Sequence, residues 1–378
     1  MRQLYLAATG MNRGKTTVSL GLLAALFARG LRTGFIKPVG QRYAIVDGVP
    51  ADEDAILMKS VYDLPDPLAD LSPVHIPRGF TKAYIAGTVV DDLPARIRSA
   101  WQRVSVDRDV LLVEGTGHAG VGSVVDLSNA AVARMLGARA IIVSEAGVGR
   151  PIDEIVLNHA LFSRHGVEVA GAVVNKVDGE GHPSLVGTLE KGLRRHGIEL
   201  LGVLPYRPLL SNPTLSMLRE QMRGELLHPG PDLAIAIEHV YIGAMQPGHV
   251  LERVGSGSLL IVPGDREDVI GTMVTATLVG APSGGSGAQS GRRRQTLAGI
   301  VLTGGYRPSE RVIEAIRHAD LFAYLVAEDT YAAASAVHDL LVKTHPDDVD
   351  KIEEIQRLVA EHLDVDRILT RFAEPLPA

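Results

Sequence analysis

The chain is 378 residues long, which suggests two domains rather than a single core. With 46% hydrophobic and 22% charged residues it has the balance of a globular protein, and its formal net charge of −6 argues against a general binder of nucleic acid or membrane surfaces, both of which are anionic. Cysteine is absent, so disulfide scaffolds, thiolate zinc sites and cysteine nucleophiles are excluded.

The opening residues, Met1-Arg2-Gln3-Leu4-Tyr5-Leu6, enter a strand directly and leave no room for a signal peptide. No apolar run approaches the roughly 18 residues of a membrane span, and the cytoplasm is the expected location. Up to about residue 205, short aliphatic runs bounded by Gly or Pro alternate with helical patterns. Strands are predicted near Leu4–Ala8, Thr33–Lys37, Val110–Val113, Ala140–Ser144, Val169–Val174 and Leu200–Leu204, with helices such as Thr16–Arg29, Asp126–Leu136 and Pro151–His165 between them. This rhythm predicts an α/β fold with a doubly wound parallel sheet and ligands at the carboxyl ends of its strands.

The proline-rich stretch from Tyr206 to Pro231, with a helical segment at Ser216–Leu227, reads as a connector that closes a first domain over residues 1–225. A second α/β unit is expected over 232–345, with strands near Ser258–Val262, Leu297–Leu302 and Leu321–Val326 and helices at Glu267–Thr277, Ser309–His318 and Tyr331–Lys343. Within it, residues 280–295 are Gly/Ser-rich without apolar periodicity and read as a flexible loop. Residues 347–378 form a C-terminal helical tail, with Ile352, Ile355, Leu358 and Val359 at helical spacing.

Between the first strand and the first helix stands Thr9-Gly10-Met11-Asn12-Arg13-Gly14-Lys15-Thr16-Thr17, a P-loop one residue shorter than the standard spacing. Glycines let the backbone curl so that N–H groups point at phosphates, Lys15 reaches the β- and γ-phosphates, and the Thr16 hydroxyl suits Mg²⁺. The start of the helix adds its positive dipole end. Gly10, Asn12, Arg13, Gly14, Lys15, Thr16 and Thr17 are therefore the expected nucleotide-binding set.

Four further segments bear on this site. Glu114 ends an apolar strand, where an acid either coordinates or orients Mg²⁺ or caps the next turn; Gly115 and Gly117 after it suit close approach to a ligand. Lys37 ends the second strand beside the γ-phosphate region. Asp52, Glu53 and Asp54 follow on a loop leading into a helix, where an acid either completes the Mg²⁺ shell or belongs to a helix N-terminus. Asn175-Lys176-Val177-Asp178 ends the fifth strand, where such a motif reads guanine in GTPases, making Asn175 and Asp178 candidates for base recognition. His118 reads as a solvated loop side chain.

Taken in order, Thr9–Thr17, Lys37-Pro38-Val39, Asp54, Glu114-Gly115, Asn175 and Leu204-Pro205 resemble dethiobiotin synthetase. They look closer still to the dethiobiotin-synthetase-like N-terminal region of long bacterial phosphotransacetylases, over about residues 1 to 225. The resemblance implies a seven-stranded P-loop fold with Mg²⁺ held by Thr16, Asp54 and Glu114. It makes Lys15 and Lys37 the catalytic groups at the phosphates and the reacting carboxylate, with Asn175 and Pro205 at the base. Pro263-Gly264-Asp265-Arg266-Glu267-Asp268, Leu302-Thr303-Gly304-Gly305, Glu328-Asp329-Thr330-Tyr331 and Asp350-Lys351-Ile352 resemble the DRTGG domain that follows in those proteins. That implies a smaller regulatory α/β domain pairing between subunits, hence a homodimer; its motif residues either bind a small ligand or shape turns. The chain stops where the acetyl-transfer domain would begin, so acetyl transfer is not expected of it. The loop after Glu114 also lacks a recognisable diaminopelargonic-acid pocket.

Two functions follow as expectations. The first is a regulatory or metabolite-sensing ATPase that binds Mg²⁺ and ATP, with GTP also open. The alternative is an ATP-dependent ligase activating a small carboxylate, carbamate or bicarbonate by phosphorylation, with a small carboxylate or amine as co-substrate. Cobyrinic-acid amidases are set aside because their glutaminase step needs a cysteine. Partitioning ATPases are disfavoured because the early part of the loop offers Arg13 rather than a second lysine.

Overall fold

The computed structural model describes residues 1–89, 91–178, 182–279, 297–340 and 342–372. The chain divides into two compact units, Met1–Arg207 with Thr344–Ala378, and Pro208–Lys343.

In the first unit six strands, β1 (Arg2–Ala8), β2 (Thr33–Ile36), β3 (Val110–Glu114), β4 (Arg139–Glu145), β5 (Val169–Val177) and β6 (Leu200–Pro205), form one sheet in the order β6-β5-β4-β1-β3-β2. Every neighbouring pair is parallel. The strands are buried almost throughout, which is why they read as aliphatic runs without polar alternation. The principal helices are α1 (Lys15–Ala28), α2 (Glu53–Tyr62), α3 (Leu93–Val104), α4 (Asn129–Leu136), α5 (Gly149–Arg164) and α6 (His182–Arg194). From β1 the chain passes outward to β2, returns to β3, and then crosses to β4 on the far side of β1. Strand order thus reverses at β1, and the loop that follows β1 lies at this switch point, where α/β sheets place their ligands.

Three details differ from the sequence expectations. The main sheet has six strands among the described residues, not seven; Val39–Gly40 pairs instead with Val74–His75 in a separate two-stranded sheet. The helix expected from Asp126 starts at Asn129, because Ser128 caps it by accepting from Ala131 N and Asp126 is left-handed (φ 57) at the end of a 3₁₀ turn. Tyr43–Val46 and Val49–Asp52 form an unexpected antiparallel hairpin around Asp47-Gly48. Both turn residues have positive φ (50 and 79), the pattern of a two-residue primed turn.

In the second unit β7 (Glu225–His228), β8 (His239–Ile242), β9 (Ser258–Pro263), β10 (Gly299–Thr303) and β11 (Phe322–Leu325) lie in the order β7-β11-β10-β9-β8, antiparallel only between β7 and β11. Its helices are α7 (Leu215–Gln221), α8 (Pro247–Leu251), α9 (Glu267–Val279), α10 (Glu310–His318) and α11 (Thr330–His338). Both faces are covered. Leu260 and Val262 join a core with Val250, Ile270, Met273 and Ile316, while Leu259 and Ile261 join another with Leu215, Leu218, Ala333 and Val337. The helix expected over Ser216–Leu227 ends at Gln221, and residues 225–228 are a strand, since pairing with β11 overrides local helical preference. The helix expected over Tyr331–Lys343 starts at Thr330, capped by Asp329, and ends at His338. The Gly/Ser-rich stretch 280–295 lies outside the described residues.

After the second unit the chain forms α12 (Val349–His362) and α13 (Val365–Arg371), which belong to the first. α12 lies against α1 where Gly21 leaves room: a Cβ there would stand 2.4 Å from Val359 Cβ and 3.0 Å from Ile355 O. Tyr62 OH donates to Leu20 O (2.6 Å) and accepts from Gln356 Nε2 (3.4 Å), while Arg29 holds Asp366 through two hydrogen bonds of 2.8 and 3.0 Å. Leu363 bridges to Gly202 on β6. No helix among the described residues is long and apolar enough to cross a membrane.

Candidate functional site

The loop after β1 curls through two left-handed residues, Asn12 (φ 57) and Gly14 (φ 92), the second being the N-cap residue of α1. Its start is fixed by Thr9 N donating to Val143 O (2.9 Å), and its end by Val18 N donating to Gly14 O (3.0 Å). Lys15 and Thr16 thereby fall in the first turn of α1, whose free N–H groups face the loop.

Four expected residues meet beneath the loop. Thr16 Oγ1 donates to Asp54 Oδ1 (3.0 Å) and lies 3.3 Å from Glu114 Oε1. Lys37 Nζ sits between the same carboxylates, 2.5 Å from Asp54 Oδ2 and 2.9 Å from Glu114 Oε1. Of the two roles anticipated for the acid run at 52–54, the structure shows the helix N-terminus. Asp52 is the N-cap of α2, accepting from Asp54 N (3.0 Å), which aims Asp54 at Thr16 and Lys37.

Burial and charge set the protonation of this cluster. Glu114 is wholly buried, and desolvation raises it to about 7 against the opposing pull of Lys37. Burial alone would lower Lys37, but Asp54 and Glu114 outweigh it and hold the ammonium well above its ordinary range. Asp54 would also rise on desolvation, yet Lys37 brings it down to about 2. Lys15 is lowered by burial and then by the nearby Lys37. It is 9% exposed and makes no hydrogen bond or ion pair among the described residues, while Ser19 beside the buried Glu114 favours its charged form. No group of three or more His, Cys, Asp or Glu side chains at metal-binding spacing occurs among the described residues. Two carboxylates and a hydroxyl still form an oxygen donor set of the kind Mg²⁺ takes from protein, the remaining positions going to water and phosphate.

On the other side of the loop Asn175, at the end of β5, is buried with its Nδ2 donating to Arg13 O (3.3 Å). Pro205 stands in register with Val177, which brings the end of β6 alongside. Asp178 is exposed past the strand end and bonds neither to the loop nor to the Lys37 cluster among the described residues. Gly10 and Arg13 are neighbours, since a Cβ on Gly10 would lie 3.2 Å from Arg13 Nε. Thr17 is half-buried in the first turn of α1.

Two groups of residues escape the sequence reading. Asn129, the first residue of α4, accepts from Tyr5 OH (2.9 Å) and Thr116 N (3.0 Å) and donates to Thr116 O (2.7 Å) and His118 O (2.6 Å), holding the loop that follows Glu114. Glu145, at the end of β4, pairs with Arg13 and Lys176. In the second unit the motif residues mostly meet main chain. Gly264 N donates to Thr303 O, Gly304 N to Glu328 O and Gly305 N to Val326 O, and Glu267 accepts from both N and Oγ of Ser309.

Residues 2–214 match the AAA domain family AAA_26, and residues 217–340 match the DRTGG domain. The fold and the loop after β1 thus define a nucleotide-binding P-loop domain, followed by a DRTGG domain. The first match spans more than half of the chain, and the chain belongs to that AAA family. It is similar to phosphate acetyltransferase of Pseudomonas aeruginosa, 26% identical over 395 residues that cover 99% of this chain and 53% of that protein. The enzyme of the same name in Pseudomonas putida is 28% identical over 390 residues, covering 99% of this chain and 52% of that one. The chain therefore spans about half the length of the curated relatives it matches. Among solved structures it is similar to the septum site-determining protein MinD complexed with Mg-ADP from Pyrococcus horikoshii, at 16% identity and a TM-score of 0.34, covering 55% of this chain and 83% of that one.

Proposed function

We propose that the first unit binds Mg²⁺ and ATP at residues 9–17 and acts as a regulatory, metabolite-sensing ATPase. The observation that carries this reading is the meeting of Thr16, Lys37, Asp54 and Glu114 beneath the loop, with Lys15 in the first turn of α1 making no hydrogen bond or ion pair among the described residues. Two carboxylates and a hydroxyl beside a helix N-terminus and a lysine suit a cation and an anion arriving together. Thr16, Asp54 and Glu114 would hold Mg²⁺, and the ion when bound supplies neutralisation of the phosphate oxygens. The chain's own groups then act as follows. Lys15 and the loop amides bind the β- and γ-phosphates, and the N-terminus of α1 adds its dipole. Lys37, kept charged by its two carboxylates, stabilises charge on the transferring phosphoryl group. Asn175, Asp178 and Pro205 stand on the base side.

A sensing role is favoured by the DRTGG match in the same chain, and two such chains would pair through that second unit. The test is calorimetry and phosphate release with Mg–ATP and Mg–GTP, on the wild-type chain and Lys15→Ala. Tight binding with slow turnover, lost in the variant, is the expected result. Turnover that accelerates severalfold with a small carboxylate or amine would instead establish the ligase, and binding retained by Lys15→Ala would overturn the site itself.

A further inference from the structure

The middle of the P-loop is held in an unusual backbone shape, and its tethers come from two strand ends. Asn12 is a non-glycine residue in the left-handed region. Its carbonyl accepts from Lys176 Nζ (3.0 Å), and the next carbonyl, of Arg13, accepts from Asn175 Nδ2 (3.3 Å). Lys176, the penultimate residue of β5, is itself left-handed (φ 60). What unites these contacts is Glu145, the last residue of β4, which stands opposite Asn175 in the parallel register. Its Oε2 pairs with the Arg13 guanidinium, and its Oε1 accepts from Lys176 Nζ at 2.8 Å. The three side chains are only 21%, 29% and 32% exposed, so water screens the charges less than at an open surface. Without Glu145 two cations would face each other across the loop, and the Arg13 guanidinium, whose buried Nε already lacks a hydrogen-bond partner, would keep the weaker pull of Glu154.

We infer that Glu145 is a positioning residue for the P-loop. By neutralising Arg13 and Lys176 together it holds Asn12 and Gly14 in their left-handed shape before any nucleotide arrives. It also draws the positive charge of Arg13 toward β4, leaving the phosphates to Lys15 and the loop amides. The consequence for binding rests on the function proposed above, but the tether itself is measurable without nucleotide.

The experiment is rapid amide hydrogen exchange on the full chain without nucleotide, comparing wild type with Glu145→Ala, Glu145→Gln and Arg13→Ala. Exchange over residues 10–14 should rise about tenfold in Glu145→Ala and Arg13→Ala, the size of coupling typical of ionic partners, while β4 and α1 stay protected. Glu145→Gln keeps an acceptor without its charge and should fall between. The double variant Arg13→Ala/Glu145→Ala should be no looser than the worse single one. Unchanged exchange in the loop overturns the inference whatever nucleotide binding does, and so does a rise shared equally by β4, which would mark a general loss of stability. Mg–ATP titration completes the test: about a tenfold weaker affinity in Glu145→Ala is expected. A loosened loop in a chain whose wild type binds no nucleotide would retain the tether and refute the proposed function alone.

Discussion

Asn175 fills the space that any side chain at position 14 would need: a Cβ on Gly14 would lie 1.9 Å from Asn175 Nδ2. The glycine of the P-loop is thus required twice, by its φ of 92 and by the strand end packed against it. Gly14→Ala should destabilise the first unit by about 1–3 kcal/mol and abolish Mg–ATP binding. Removing the obstruction with Asn175→Ala in the same chain should return part of the stability and none of the binding. Thermal melts and calorimetry decide it, and a stable, nucleotide-binding Gly14→Ala protein would refute this account of the loop.

The buried carboxylate of Glu114 makes binding depend on pH. Its folded-state value is raised from 4.5 to about 7, so between these limits the folded chain keeps a proton that the unfolded chain has released. The sign is therefore that this group lowers stability as pH rises from about 4.5 to 7 and changes little above. A cation can take Glu114 only after the proton leaves, so Mg–ATP affinity should increase from pH 6 to 8 with proton release. Calorimetry in buffers of different ionisation enthalpy measures that proton, and Glu114→Gln should release none. Identical proton release by wild type and variant would show that another group is titrating.

α1 and α12 meet at a site where alanine should be worse than glycine. In an open helix Gly→Ala adds about 1 kcal/mol of stability. At Gly21 the added methyl would meet Val359 at 2.4 Å, and overpacking of this kind costs about 1–3 kcal/mol. Gly21→Ala should accordingly unfold at lower denaturant, and Gly21→Ala/Val359→Ala should recover at least part of the loss. A stabilised single variant would mean that α12 does not bear on α1 as described.

Among the described residues of the second unit the tightest glycine is Gly264, whose Cβ would stand 1.7 Å from the carbonyl oxygen of Tyr306. Backbone cannot yield as a side-chain tip can, so Gly264→Ala should lose at least about 1–3 kcal/mol. Hydrogen exchange should place the loss within residues 208–343, leaving β1 and β3 protected. Exchange that rises first in β1 would contradict that assignment.

What could be read from the sequence was the chemistry carried by local spacing. Lys15, Thr16, Asp54 and Glu114 sit at strand and helix ends that aliphatic runs and turn residues mark, and Lys37 joins them because β2 ends beside β3. Contacts made by register were not legible. Glu145 and Lys176 lie far from Arg13 in sequence, and only the parallel alignment of β4 with β5 sets them beside it. Asn129 looks like an ordinary helix-start residue until Tyr5 and the loop at 116–118 are placed around it. Residues 225–228 carry a helical pattern that the edge of β11 turns into a strand. Asp47-Gly48 is a hairpin signal, but its flanking strand Tyr43–Val46 is largely exposed and lacks the alternation that would announce it.

The first unit is assembled from two stretches of chain that the second separates. During synthesis, therefore, all of residues 208–343 emerge before α12 exists to cover α1. The second unit can complete its fold while the P-loop unit still shows the apolar groove around Gly21, and that groove closes only when residues 344–372 leave the ribosome. A fragment ending at residue 225 would be a permanent copy of that unfinished intermediate, so an isolated nucleotide-binding unit needs residues 344–372 supplied in cis or as a peptide.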